Sequence, residues 1–328
     1  MQRIVSRVLP NGSICNVQPY HVCLEGLEKA VLCRDEEDYD AFVKIICVAA
    51  HRKNVIVIIY AVVSNHSHTS ILARCQADAD AYGEEVKRMA SMWVSHKHGE
   101  RKILCRTDVK VPLLDTDWYT RNALAYVPRN ALDNGCNVNE YPWSGYRAMF
   151  SGKGQSGKGL FRKVSEMTRR EHRAIFHTGE DLSDVPWLVD ADGHLVPESI
   201  CDTEYLEQAF NHDQAYFIRT IGTLNVAEMR EKLVDAPRTM HSDSEVFNDA
   251  SAEARRWFGI ELSALSLLQK TRLIPYFNRT RKTTIPQLAR VFGLERDRVH
   301  AILHPDKRRF CTRCDFTSGI LHIRKAPH

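Results

Sequence analysis

The chain has no apolar run near the roughly 18 residues that a bilayer-spanning helix needs. Its longest, Val55–Val63, reads instead as a buried strand. The opening residues, MQRIVSRVLPNGS, carry no apolar core and no small-residue cleavage site, so a secretion signal is not expected and a cytoplasmic location is. A disulfide framework is also missing. The ten cysteines (15, 23, 33, 47, 75, 105, 136, 201, 311 and 314) follow no framework spacing. Several sit in apolar segments, such as Cys47 in KIICVAA and Cys105 in KILCR, as reduced core thiols do. Two motifs are incomplete. GKGQSGKG (152–159) lacks the final Ser/Thr of a phosphate-binding loop and has no strand before it. Cys311 and Cys314 with His322 form half a zinc site without a second pair at a suitable distance. Nucleotide-driven and structural-zinc chemistry are therefore set aside.

What is present has the balance of a soluble globular protein, 44% hydrophobic and 26% charged. A length of 328 residues suits two or three domains. The net charge of +4 is unevenly spread. Residues 251–328 hold 16 Lys+Arg against 6 Asp+Glu, and the rest of the chain is net acidic. A basic C-terminal segment points to a polyanion partner, with DNA or RNA first.

Along the chain, Val17–Leu24 reads as a strand and Asp35–Lys53 as a helix with acid in its first turn. Asn54–Val63 is a β-branched run of the kind found in a strand buried on both faces. Ser64-Asn65 interrupts it, and His66–Leu72 resumes as a strand. Ala77–His96 is a second amphipathic helix, Lys102–Val111 another strand, and Asp115-Thr116-Asp117 caps a helix from about Trp118 to Ala131. This β-α-β-β-α-β-α order predicts an α+β domain, a small mixed sheet with helices on one face. After the glycine-rich break at 151–159, residues 160–240 read as helical with loops, notably Leu160–His177 and Asp202–Leu233. Ile285–Phe292, the turn at Gly293 and Glu295–Leu303 form a helix-turn-helix pattern decorated by Arg290, Arg296, Arg298 and His300. The expected units are 1–150, 151–250 and 251–328.

His66 and His68 are two residues apart on a predicted strand and so face the same way, as a metal site requires. Tyr126 and Asn130 are four apart on a predicted helix and share a face. A phenol is a poor nucleophile at neutral pH, but becomes useful when a cation polarises the phosphate it attacks. The combination predicts a divalent metal held by His66, His68 and Asn130, with Tyr126 as nucleophile. Core packing for Tyr126 and helix capping for Asn130 are the structural alternatives. Tyr119, seven residues earlier on that helix, is the fallback nucleophile. Arg106 and Lys110, on the strand leading to the helix, are candidate backbone contacts to DNA. Trp143 and Tyr146 could stack on bases or pack in the core.

The segments YHVCLEG (20–26), LCRDEEDYDAFV (32–43), VIIYAVVSNHSH (57–68), YVPRNAL (126–132) and EYPWSGYRAM (140–149) together resemble the REP-associated tyrosine transposases, members of the single-tyrosine HUH group. The likeness covers roughly residues 15–150. It implies a ferredoxin-like nuclease domain with an antiparallel sheet and a Mg²⁺ or Mn²⁺ ion on His66, His68 and Asn130. It also implies nicking of single-stranded, hairpin-flanked DNA through a 5′-phosphotyrosine at Tyr126, by a monomer or a homodimer. The sequence departs from the family's usual pattern at Ser67, normally apolar, and at Pro128 and Ala131, where proline normally follows Asn130. Pro128 is expected to kink the helix beside the site. Duplex DNA is the expected partner of the C-terminal unit, and no membrane is expected. The competing reading is a catalytically inactive, domesticated DNA-binding protein or regulator.

Overall fold

The computed structural model describes residues 3–25, 31–100, 104, 107–133, 136–151, 160–222 and 241–304. Arg106, the GKGQSGKG loop and the Cys311/Cys314 pair lie outside them. No helix among the described residues is long and apolar enough to cross a membrane.

A five-stranded sheet is the framework, antiparallel at every pairing rather than mixed as the element order suggested. β1 (Val5–Val8) forms a hairpin with the start of β2 (Ile14–Glu25). The rest of β2 pairs on one side with β4 (Ser67–Ala73) and, near its end, on the other with β5 (Asp108–Lys110). β3 (Ile56–Val62) lies outside β4. The lateral order is β5-β2-β4-β3, with β1 extending the β5 edge. The β1 hairpin was not expected from the sequence. The strand expected over 102–111 is described as strand only at Asp108–Lys110.

Between these strands run α1 (Glu36–Lys53) and α2 (Gln76–His98). Local chemistry fixes their ends. Asp35 accepts from the Asp38 amide and caps α1, three acids occupy its first turn, and Asn54 closes it in the left-handed region at φ 53°. Gly99, at φ 69°, closes α2. Gly83 allows α2 to sit close on the sheet. A Cβ there would lie 2.4 Å from Val109 Cγ1 and 3.2 Å from Val22 Cγ1.

Strand alternation sorts the side chains of the sheet. Tyr20, Val22, Leu24, Tyr60, Val62, Ile71 and Ala73 pack with α1 and α2. Val17, Ile59, Ala61, Val63 and Leu72 face the other way, against α3 (Asp117–Asp133) through Leu124, Ala125, Val127 and Ala131. Helices therefore cover both faces of the sheet, which corrects the one-face expectation. The first six elements do not demand α3's placement, but a sheet apolar on both sides does. Thr116, the middle residue of the expected cap, accepts from the Tyr119 amide at 3.1 Å. Helix α3 continues through Pro128 to Asp133.

Residues 160–222 wrap both layers. A small ribbon of β6 (Arg162–Lys163) and β7 (Leu188–Val189) and helix α4 (Arg169–Phe176) join the α1/α2 core through Val164, Phe176, Trp187 and Leu195. The helix expected over 160–177 is thus confined to its second half. α5 (Thr203–Ala209) and a helical stretch at 214–222, α6, join the α3 core through Tyr205, Phe210 and Phe217.

The third core is α7 (Asp243–Phe258), α8 (Leu267–Arg281), α9 (Ile285–Phe292) and α10 (Arg296–Leu303). α9 ends at Gly293, φ 61°, and α10 begins three residues later. The expected boundary at 250/251 falls inside α7. The unit is joined to the sheet domain by polar contacts, two of them buried. Ser244 Oγ donates to the Cys33 carbonyl at 2.7 Å, and Tyr39 Oη and Ser244 Oγ lie 3.0 Å apart. Asn248 donates to the Arg34 carbonyl at 3.0 Å.

Candidate active site

The site lies between the sheet and α3. His68 sits on β4 directly across from Cys23 on β2, and His21 sits across from Ser70. Directly opposed residues share a face. Because His21 and Cys23 alternate with Tyr20, Val22 and Leu24, both point toward α3. His66 precedes β4 by one residue and reaches the same place. Its ring centroid is 4.7 Å from that of His68, with the planes nearly perpendicular. Tyr126, half-buried on α3, places its ring 5.1 Å from His68 and 6.4 Å from His21, edge-on to both. Two imidazoles from the sheet and the phenol from the helix are thus brought together, with a third imidazole beside them.

The ring nitrogens are held by neighbours. His66 Nδ1 is 2.8 Å from Asn65 Oδ1. An amide oxygen only accepts, so Nδ1 carries a proton, and in the neutral ring the lone pair lies on Nε2. His68 Nδ1 is 3.1 Å from His21 Nε2, and His68 Nε2 is 4.0 Å from Cys23 Sγ. Burial drives the His68 imidazole to protonate well below its ordinary range, and nearby His66 and His21 add to the effect. His68 is therefore neutral at pH 7, the form that ligates a cation.

Asn130 is buried one helical turn beyond Tyr126. Its Nδ2 donates to the carbonyls of Tyr126 and Val127, each at 3.0 Å. Carbonyls cannot donate, so this fixes the amide's orientation and turns Oδ1, its acceptor end, away from the helix backbone. The buried guanidinium of Arg129 lies over the Tyr126 ring, 5.8 Å from its centroid.

The donors fit a divalent cation: two imidazoles two residues apart, one kept neutral by burial, and an oriented amide. Among the described residues no group of three or more His, Cys, Asp or Glu side chains is arranged to hold a metal ion. His66, His68 and Asn130 are the residues that would hold such an ion, with the rest of its shell left to oxygens from outside the chain.

Lys110 lies opposite Cys23, so Lys110, Cys23, His68 and Ala61 form one row across the sheet. Lys110 is exposed on the same face as the imidazoles, two strands away, roughly 10 Å. Trp143 stacks on Tyr39 at 5.6 Å and Tyr146 on Phe217 at 5.9 Å, so both aromatics pack in the protein. In the C-terminal unit Arg296 and Arg298 are exposed, whereas Arg290 is paired with Asp243.

His21, Arg129 and Asn65 were not singled out in the sequence. The period-two pattern of β2 would have put His21 on the α3 face. Its closeness to His68 depends on the β2–β4 register, which the sequence does not state. No protein-family model matches the chain, and neither does any curated protein or solved structure compared with it.

Proposed function

We propose that the protein is a metal-dependent tyrosine transposase that nicks and rejoins single-stranded, hairpin-flanked DNA. The observation that carries this reading is the packing of the Tyr126 ring against His68, which in turn touches His66, although the phenol and the imidazoles lie about 60 residues apart in sequence. The strand order β5-β2-β4-β3, with both crossover helices on one face, supports a ferredoxin-like nuclease domain. The exposed arginines of α10 support duplex contact by a helix-turn-helix unit.

In the reaction, the Tyr126 oxygen attacks a backbone phosphorus. The bond from phosphorus to the 3′-oxygen breaks, and that oxygen gains a proton in place of the one the phenol loses. The products are a 5′-phosphotyrosine and a free 3′-OH. Attack by a 3′-OH on the phosphotyrosine restores the phosphodiester and the phenol, so no nucleotide hydrolysis is needed. Mg²⁺ or Mn²⁺ on His66, His68 and Asn130 would supply Lewis-acid stabilisation of charge on the phosphoryl oxygens. Two nitrogen donors suit Mn²⁺ better than Mg²⁺. Arg129 and Lys110 would hold the phosphates on either side.

The test is incubation with labelled hairpin DNA and Mn²⁺ or Mg²⁺, followed by denaturing electrophoresis. A covalent adduct that is lost in Tyr126→Phe is expected. Tight binding with no adduct under any metal would leave the inactive DNA-binding protein as the better reading.

A further inference from the structure

The two ligand imidazoles are not held in the same way. His66 Nδ1 meets an amide oxygen, which can only accept, so the His66 tautomer is fixed. His68 Nδ1 meets another imidazole nitrogen, His21 Nε2, at 3.1 Å, and that partner can donate or accept. His21 in turn places Nδ1 3.3 Å from Ser70 Oγ, a group that can also do either. Ser70, His21 and His68 therefore form a chain whose hydrogen bonds run in one of two directions. In one, His68 Nδ1–H donates to His21 and His21 Nδ1–H donates to Ser70, leaving the lone pair of His68 on Nε2. In the other, Ser70 donates to His21, His21 donates to His68 Nδ1, and His68 carries its proton on Nε2, facing Cys23. The two differ by coupled tautomer shifts, with no net gain or loss of protons.

Building on the metal-site reading above, we infer that His21 is a positioning residue that accepts from His68 Nδ1–H and so presents the Nε2 lone pair of His68 to the cation. The β-ladder register supports this role. His21 and Ser70 are directly opposed, one residue along from the Cys23–His68 pair, so the chain is built into the backbone pairing of β2 and β4. The planes of His21 and His68 lie 25° apart with centroids 5.2 Å apart, the near-coplanar arrangement that an in-plane bond between their ring nitrogens requires. A partner that donates to the non-ligating nitrogen, or fails to accept from it, weakens a metal-bound histidine by about 10–100-fold.

The full-length protein without metal gives the first readout. Nitrogen-15 spectra of its imidazoles should report His68 protonated on Nδ1, and finding the proton on Nε2 overturns the inference with no variant needed. Mn²⁺ titration by calorimetry gives the second. His21→Gln, whose Oε1 can only accept, should bind within about threefold of wild type, and His21→Leu should lose about 10–100-fold. Ser70→Ala, a smaller change, should shift the His68 tautomer mixture even if His21→Leu folds poorly. His66→Ala and His68→Ala separate the two ideas. If they lose Mn²⁺ binding while His21→Leu keeps it, His21 has no positioning role and the metal site stands. If they too bind as wild type does, the site falls, and the inference falls with it.

Discussion

Ser64 donates through Oγ to Asp243 Oδ2 at 2.8 Å, a bond between the turn that precedes His66 and the first residue of α7. The carbonyl of the same serine accepts from the amides of Leu32 and Cys33, at 2.7 and 2.9 Å, and Val63 N donates to the His66 carbonyl at 2.9 Å. The turn is thus pinned from three directions. Asp243, nearly fully buried, also takes both hydrogen bonds offered by Arg290 on α9. Removing the carboxylate leaves a partly buried cation and a buried hydroxyl without their acceptor. Asp243→Ala should cost about 3 kcal/mol in urea unfolding and weaken metal binding at a distance. A loss under 1 kcal/mol would mean that the pair is a surface-like contact.

The arginines of the C-terminal unit should separate into two kinds. Arg296→Ala and Arg298→Ala remove exposed charges. Each should leave the melting temperature unchanged and lower the slope of log affinity against log salt for duplex DNA by about 1. Arg290→Ala breaks the contact with Asp243 and should chiefly destabilise the fold. Equal DNA-binding losses with equal stability for all three would contradict the pairing.

Low pH should weaken the metal-free protein at the site. Folded His68 resists protonation, whereas the unfolded chain takes up that proton near pH 6.5. The neutral form's contribution is therefore complete above that value and is lost as pH falls below it. This one group adds a slope of up to about 1.4 kcal/mol per pH unit. Stability curves at pH 7.5, 6.5 and 5.5 for wild type and His68→Gln should diverge in slope only on the acid side. Parallel curves would show that His68 protonates freely in the fold.

Gly83→Ala tests the α2–sheet contact. Alanine favours helix over glycine by about 1 kcal/mol. Here its methyl would collide with Val109 Cγ1 at 2.4 Å, on a short side chain with nowhere to swing. Net destabilisation is expected, with β5 and Lys110 shifted outward. A rise in melting temperature would show that the strand moves aside without cost.

Much of the sheet and its helices was legible because local chemistry and global packing agree there. The β-branched run before Ser64, the acid-rich first turn of α1 and the Gly293 turn after α9 each specify their element with little help from distant residues. The His66/His68 pair and the Tyr126/Asn130 pair were legible for the same reason, since strand and helix periods alone decide which side chains share a face. What stayed hidden depends on pairing between distant segments. His21 becomes a neighbour of His68 only through the β2–β4 register. Arg290 reads as a DNA contact until Asp243, 47 residues earlier, is seen to hold it. Residues 160–177 read as helix by composition, but Arg162 and Lys163 were drawn into a strand by β7.

The brace on the His66 turn comes from a residue 179 positions later in the chain. On a ribosome adding about 5–20 residues per second, the strands and Tyr126 are made roughly 6–23 seconds before Asp243. Through that interval the nascent protein owns its strands and its phenol but not the clasp that steadies the turn beside them. A polypeptide stalled or clipped before α7 is therefore expected to be a folded sheet whose His66 turn stays unsteady until the residues that brace it have been made.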